Sequence, residues 1–529
     1  MMLLRFQCIL YLIAYRNGVK HMLSRINTAV CVGIEGKMVT VETDISNGLP
    51  CINIVGLAST TVMESRERIK SAIINSNYMY PGGRITVNLM PADLRKTGSC
   101  LDLPIAIGLL TSSLIVDSRK VGKYGIIGEL SLDGSVKAVS GVLSMILKFQ
   151  EQGVNRIVIP VENTQEAALI ENVEIIPVST LRECVTCINE DMTGMTSLKE
   201  PLHILKDDLD FKDIHGQDNA KRAITIAVTG RHGLLMIGSP GCGKSMLARR
   251  IAGIMPEMNR KEMIETAMIY SVLGRNLESA DYDMKRPFRS PHNSIGKAGL
   301  LGGGNIPIPG EISLAHNGVL FLDEVCEFDR EKIESLRTPI EEKTITHFRN
   351  GIPYTFPCDF QLVMAANPCP CGYYGDEDHI CKCSVSQLEN YRRKLSGPMM
   401  DRIDLRLEME KVGFGEINSD RGGISSEEMR NSVNKGLEFA TKTGRKTANA
   451  NMSDADIKIF CKLGEKEKIL LEDAYRKLRL SPRSYKKTLK VARTIADIDE
   501  SESIKCKHIA EALSYRMLNE VNEVDVDCI

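Results

Sequence analysis

Leu234-Leu-Met-Ile-Gly-Ser-Pro-Gly-Cys-Gly-Lys-Ser245 joins an apolar, strand-like run to a glycine-rich turn, and helical spacing continues to Ile254. A G-x-x-x-x-G-K-S turn between a strand and a helix is a phosphate cradle. Its glycines let backbone N–H groups converge on phosphate oxygens at a helix amino terminus. Gly238, Ser239, Pro240, Gly241, Cys242, Gly243, Lys244, Ser245 and Met246 are therefore assigned to nucleotide binding. Lys244 is expected to pair the β- and γ-phosphates of ATP, and Ser245 to ligate its Mg2+.

Two more apolar strands end in chemistry. Val319-Leu-Phe-Leu322 runs into Asp323-Glu324, which suits one carboxylate to the Mg2+ shell and the next to activating water. Gln361-Leu-Val-Met-Ala-Ala366 ends at Asn367, a neutral side chain able to orient that water. Alone, an Asn before Pro368 would read as a turn. From about Leu205 to Glu410 strands and helices alternate, which predicts an α/β fold: a doubly wound parallel sheet with its ligand at the strands' carboxyl ends.

Beyond Gly422 only helical spacing remains, in Ser426–Thr443, Ser453–Leu463, Glu465–Leu478, Ser484–Ile498 and Lys505–Asn519, and a helical lid domain is expected. Upstream, strand-like Ile85–Leu89 and Ile157–Ile159 mix with helical Val142–Phe149, so a separate α/β domain is expected. The polar stretch Asn189–Lys199 reads as a linker. The expected domains are 22–190, 205–412 and 422–520, after an extension at 1–21 read as dispensable.

A chain of 529 residues is long enough for two or three cores. Its formal net charge of −1 announces no general polyanion binder, so any nucleic-acid surface must be local. Sixteen cysteines without a convincing export signal point to reduced thiols and a cytoplasmic location. The apolar start Met1–Ala14 is too short to span a bilayer, and no other run is long enough, so no membrane partner is expected.

One cysteine cluster stands apart. Cys369-Pro-Cys371 and Cys381-Lys-Cys383 flank a turn-rich loop, and four thiolates in two close pairs suit a tetrahedral Zn2+ site. Free thiols are the alternative, and His379 is a spare ligand. Four thiolates would leave no open position, so the metal would be structural. Cys184-Val-Thr-Cys187 has no second pair nearby and reads as packing.

Between the Asp323 and Asn367 strands lies Thr344–Phe356, whose Asn350-Gly351 is a strong hairpin-turn signal. It places Arg349, with His347, Phe348 and Tyr354, at or near an exposed tip. A basic tip beside an aromatic side chain can hold a nucleic-acid backbone without reading its sequence. A hairpin that only braces the sheet is the alternative.

The P-loop, Asp323-Glu324 and Asn367 together resemble AAA+ ATPases, in which the Asn367 position is sensor 1. The resemblance narrows to magnesium-chelatase-like AAA+ proteins of the ComM/YifB type and covers nearly everything from Met22 onward. It rests on Gly56-Leu57 with Glu64–Arg68, Arg84–Asn88 with Pro91–Arg95, Arg289–His292, Gly302–Gly304, Pro309–Asp323, Asn367–Gly372, Ser396–Asp404 and Lys490–Asp497. Asn293 departs from it, standing where a second histidine is expected. The resemblance implies that Arg402 is an arginine finger for a neighbour's ATP, Arg483 is sensor 2, and Gln217 lies on the adenine side. It also implies a homo-hexameric ring.

The amino-terminal domain resembles the proteolytic domain of Lon-type enzymes at Lys96–Cys100 and Gly128–Gly134. Those enzymes use a Ser/Lys dyad. Here the nucleophile position falls on Cys100 and the lysine position on Leu143, so an inactive domain is expected. The family implies a DNA motor that promotes branch migration of single-stranded or branched DNA in recombination and transformation. A chelatase-type motor for metal insertion and an ATP-dependent protease are the alternatives.

Overall fold

The computed structural model describes residues 23–57, 59–96, 98–196, 209–274, 285–376, 378–411, 413 and 423–516. The extension 1–21 lies outside them, as do the ends of the linker and of the lid. The chain divides into two compact units, Met1–His203 with Arg260–Asp283 and Asn350–Tyr354, and Ile204–Asn259 with Met284–Arg349 and Thr355–Ile529.

In the first unit, eight strands form one mixed sheet. Its spatial order is Met195–Thr196, Glu174–Val178, Arg156–Pro160, Tyr124–Ile126, Ser24–Val32, Glu35–Ser46, Arg84–Met90 and Cys51–Val55. The long antiparallel pair Ser24–Val32 and Glu35–Ser46 sets Ile26 opposite Val41, both fully buried. Helix Asp102–Ser112 packs on this pair and is buried from Asp102 to Thr111, as its nearly unbroken apolar sequence requires. The stretch read as a linker starts inside this unit. Asn189 and Glu190 close helix Leu181–Glu190, and Met195–Thr196 adds an edge strand. Asn189 is polar because its side chain donates to the Ile115 carbonyl and accepts from the Asp117 N–H.

In the second unit five parallel strands stand in the order Phe288–Arg289, Val319–Leu322, Gln361–Ala366, Leu234–Gly238 and Leu405–Met409. Leu234 pairs with Val363 on one side and Leu405 on the other. Val319–Leu322 and Gln361–Ala366 are buried at every residue. Strands covered on both faces lose the in-out alternation and read as unbroken apolar runs. Parallel pairing brings the carboxyl ends of three strands, and the motifs that follow them, to one edge.

Helices Ser426–Lys442, Asp454–Phe460, Glu465–Lys477, Pro482–Ile498 and Cys506–Ser514 make the lid. Ser425 caps the first through a capping box with Glu428, and Ser481 caps the fourth with Pro482 at its first turn. A buried polar chain ties lid to sheet. His232 Nδ1 lies 3.0 Å from Asp404 Oδ2, its Nε2 lies 2.8 Å from Thr494 Oγ1, and Lys487 pairs with Asp404 at 2.6 Å. No described helix is long and apolar enough to cross a membrane.

Candidate active site

Strand Leu234–Gly238 delivers the chain to the glycine-rich turn, and helix Lys244–Ile254 leaves it. Gly241 and Gly243 take φ of 83° and 94°, a region closed to most side chains. Lys244 Nζ donates to the Gly238 carbonyl at 2.5 Å, the Ser239 carbonyl at 3.1 Å and Asn367 Oδ1 at 3.2 Å. Ser245 Oγ donates to Asp323 Oδ2 at 2.7 Å, and Asp323 Oδ1 accepts from the Glu324 N–H. Lys244, Ser245, Asp323 and Asn367 thus meet from three adjacent strands. Glu324 is exposed beside them, with φ 48° and ψ 47°. That left-handed backbone is uncommon for a non-glycine residue and is typical of strained functional positions.

The other assigned residues fall around this cluster. Gln217 Nε2 donates to the Cys242 carbonyl at 3.3 Å and the Glu410 carbonyl at 2.7 Å, bridging the P-loop to the end of strand Leu405–Met409. Cys242 is buried, and Met246 is exposed on the helix's first turn. Arg402 and Arg483 stand elsewhere. Both pair with Glu341, at 2.7 and 2.8 Å, and Arg402 also donates to the carbonyls of Pro398 and Arg337. Sequence reasoning missed Glu341. Nothing in Pro339-Ile-Glu-Glu342 distinguishes it from an ordinary solvated helix end.

Two residues after Asn367 the chain enters the cysteine loop. Cys369 Sγ lies 3.3 Å from Cys371 Sγ and 3.7 Å from Cys381 Sγ, and Cys371 to Cys381 is 3.6 Å. The Sγ atoms of Cys369, Cys371, Cys381 and Cys383 all fall within 4.8 Å of one another. Tetrahedral zinc with four Zn–S bonds of about 2.3 Å needs sulfurs about 3.8 Å apart, so these side chains fit that ion. N–H donation from Tyr373 and Lys382 brings the Cys371 thiol down to about 6. His379 does not join the thiols. Its Nδ1 lies 3.4 Å from Asp376 Oδ1, and its ring stacks on Tyr373. The loop also touches the phosphate turn. A side chain on Gly372 would meet the Pro240 ring at 2.8 Å, and Asp376 hydrogen-bonds Ser239 and pairs with Lys411 at 2.8 Å.

The hairpin pairs Thr344–Arg349 with Ile352–Pro357, and Asn350 and Gly351 turn it at φ of 51° and 78°. Phe348 is 68% exposed. Arg349 is exposed too, with its Nε donating to the Gly304 carbonyl at 2.9 Å. His347 is half-buried and spends its Nε2 on the Leu301 carbonyl.

In the amino-terminal unit both resembled dyad positions are buried. Cys100 is buried, and burial pushes its thiol up to about 12. Leu143 is fully buried, Lys96 is buried and donates to the Pro91 carbonyl, and Ser99 donates to Glu129.

Three matches to known families cover these parts. The magnesium chelatase subunit ChlI family matches residues 210–417, its subunit ChlI domain 41–163, and its carboxyl-terminal domain 423–516. The chain is 40% identical over 493 residues to the competence protein ComM of Haemophilus influenzae, covering 92% of this chain and 96% of that one. It is 41% identical over 501 residues to YifB of Escherichia coli, covering 94% and 97%. The chain belongs to the ComM/YifB family of magnesium-chelatase-like proteins. For a ComM/YifB protein the family implies an AAA+ ATPase that uses ATP and Mg2+. A further likeness, 28% identity over 182 residues to Lon protease 2 of Bacillus subtilis, covers 30% of this chain. It fits a Lon-like fold in the amino-terminal part of this ComM/YifB chain.

Proposed function

We propose that this protein is a cytoplasmic, ATP-driven DNA motor working as a homo-hexamer on single-stranded or branched DNA, in the manner of a branch-migration helicase. Lys244 meets the β- and γ-phosphates, Ser245 and Asp323 hold Mg2+, Glu324 takes the proton of the attacking water, and Asn367 orients that water. Gln217 lines the adenine side. Arg402 is the arginine finger for the ATP of an adjacent copy, which makes a ring the working unit, and the convergence of Arg483, the sensor 2 arginine, on the same Glu341 supports sending both to that nucleotide.

The observation that carries the DNA reading is that Phe348 and Arg349, consecutive at the tip of one hairpin, are both exposed. A stacking face beside a cation grips a strand without regard to sequence. His347, turned to the Leu301 carbonyl, supports the hairpin from beneath. The four thiols are proposed to hold one structural zinc ion, which supplies a rigid knot and no reacting position.

The test is the steady-state ATPase rate with and without single-stranded and four-way-junction DNA, with Glu324→Gln as the blank. Stimulation that Glu324→Gln abolishes supports the motor. A rate indifferent to DNA sinks it and favours the chelatase-type remodelling role suggested by the family match. Proteolysis is disfavoured by Leu143 and by the buried thiol of Cys100.

A further inference from the structure

Glu341 lies near the end of the short helix Arg337–Glu342, half-exposed to solvent. Its single Oε1 accepts from Arg402 Nη2 at 2.7 Å and from Arg483 Nη2 at 2.8 Å. Two guanidiniums brought to one oxygen repel each other, and an anion between them offsets that repulsion. Donors that converge on one carboxylate oxygen can equally reach two oxygens of one phosphate. The two arginines come from different parts of the fold. Arg402 is 8% exposed and fixed by the Pro398 carbonyl, whereas Arg483 stands on the lid helix and is 48% exposed.

We propose that Arg402 and Arg483 form one anion site, filled within the chain by Glu341, and that the terminal phosphate of ATP bound to a second copy displaces Glu341 from it. This rests on the reading that both arginines serve a neighbour's ATP. A phosphate has more charge and more acceptor oxygens than one carboxylate, so it wins the exchange. The displaced side chain needs no new partner, because it is already half in water. Burial alone would raise the Glu341 carboxyl, yet bonds from Arg483 and Arg402 hold it below the ordinary range, as an ion. Glu341 thus holds the phosphate's place: it fills the anion site until the phosphate displaces it.

Glu341→Gln keeps the shape and removes the charge that competes with phosphate. In the full-length chain its half-saturating ATP concentration should fall about fivefold, the loss of one charge-assisted competitor. The lower requirement should recur in ATP-driven assembly followed by sedimentation. Binding of a fluorescent ATP analogue should show no such shift when Glu341→Gln is added to Arg402→Ala with Arg483→Ala. Unchanged half-saturation in Glu341→Gln, with hydrolysis lost in the arginine variants, overturns the displacement and leaves the neighbour reading intact. Normal hydrolysis in the arginine variants overturns both. A turnover loss in Glu341→Gln equal to that of Arg402→Ala makes Glu341 a brace and also refutes displacement.

Discussion

Lys244 donates to Asn367 Oδ1 across 3.2 Å, so the lysine of one strand end is held by the amide of the next. An amide fixed there can polarise water without titrating. Asn367→Ala should lower kcat about 100-fold, the scale of losing one aimed dipole, with KM for ATP changed less than about threefold. Steady-state kinetics decide. A rise in KM alone would confine Asn367 to binding.

On the proposed DNA reading, Arg349 and Phe348 should contribute separably to binding. Arg349→Glu should weaken single-strand affinity and flatten the slope of log K against log salt by about 1, because one phosphate contact is gone. Phe348→Ala should cost about 1–3 kcal/mol and leave that slope alone, since stacking releases no counterion. Fluorescence anisotropy over a salt series reads both. Unaltered binding in the two variants would leave the hairpin a brace.

The sulfur spacing predicts about one zinc per chain, tetrahedral and without an open site. Elemental analysis of freshly purified protein checks the count. Cys371→Ser with Cys381→Ser should lose the ion and lower the melting midpoint. A count well below one in the unaltered chain would mean four free thiols.

Asp404 ties acid sensitivity to the lid. Burial by itself would raise its carboxyl, but Lys487 and His232 hold it far below the usual carboxylate range. A depressed folded value stabilises the fold above the unfolded value, about 3.9, and is lost only as pH falls below that toward the folded one. Asp404→Asn should therefore cost about 3 kcal/mol at neutral pH by stranding the Lys487 charge. Followed downward from pH 6, the gap to the unaltered protein should narrow only below pH 4, as the unfolded chain's carboxyl takes up a proton. Melting curves across that range would contradict this if the gap closed near pH 6.

Cys100 should behave as core. Its buried thiol, pushed up to about 12, should resist iodoacetamide at pH 8 while exposed Cys51 reacts, and should label only on unfolding. Casein should stay intact with ATP present. Early labelling of Cys100 in peptide maps, or ATP-dependent cleavage, would restore the peptidase reading.

Much of this was legible in the sequence because doubly covered parallel strands are continuous apolar runs, and the residues that follow them land on one edge of the sheet. Lys244, Ser245, Asp323 and Asn367 could be grouped for that reason. The strand order, which puts Leu234 between Val363 and Leu405, was not written locally, because it is settled by pairing between distant segments. Glu341 was invisible for the same reason: its meaning comes from Arg402 and Arg483, both remote in sequence. His379 misled in the opposite direction. It is close to the cysteines in sequence, yet Asp376 and the Tyr373 ring draw it away. Asn189 looked like linker because its polarity serves hydrogen bonds to Ile115 and Asp117 that only the fold creates.

Arg483 and Lys487 stand one turn apart on the same lid helix, and Arg402 is separated from Asp404 by Ile403 alone. The clamp of Lys487 and His232 on Asp404 therefore makes the lid a lever welded to the edge strand Leu405–Met409, not a door on a hinge. That strand lies in register against Leu234–Gly238, whose far end is the phosphate turn. A pull on either arginine therefore runs, through one strand pairing, to the same molecule's phosphate turn. In the proposed ring, a strain taken up at one copy's arginines would run on to that copy's own phosphate turn.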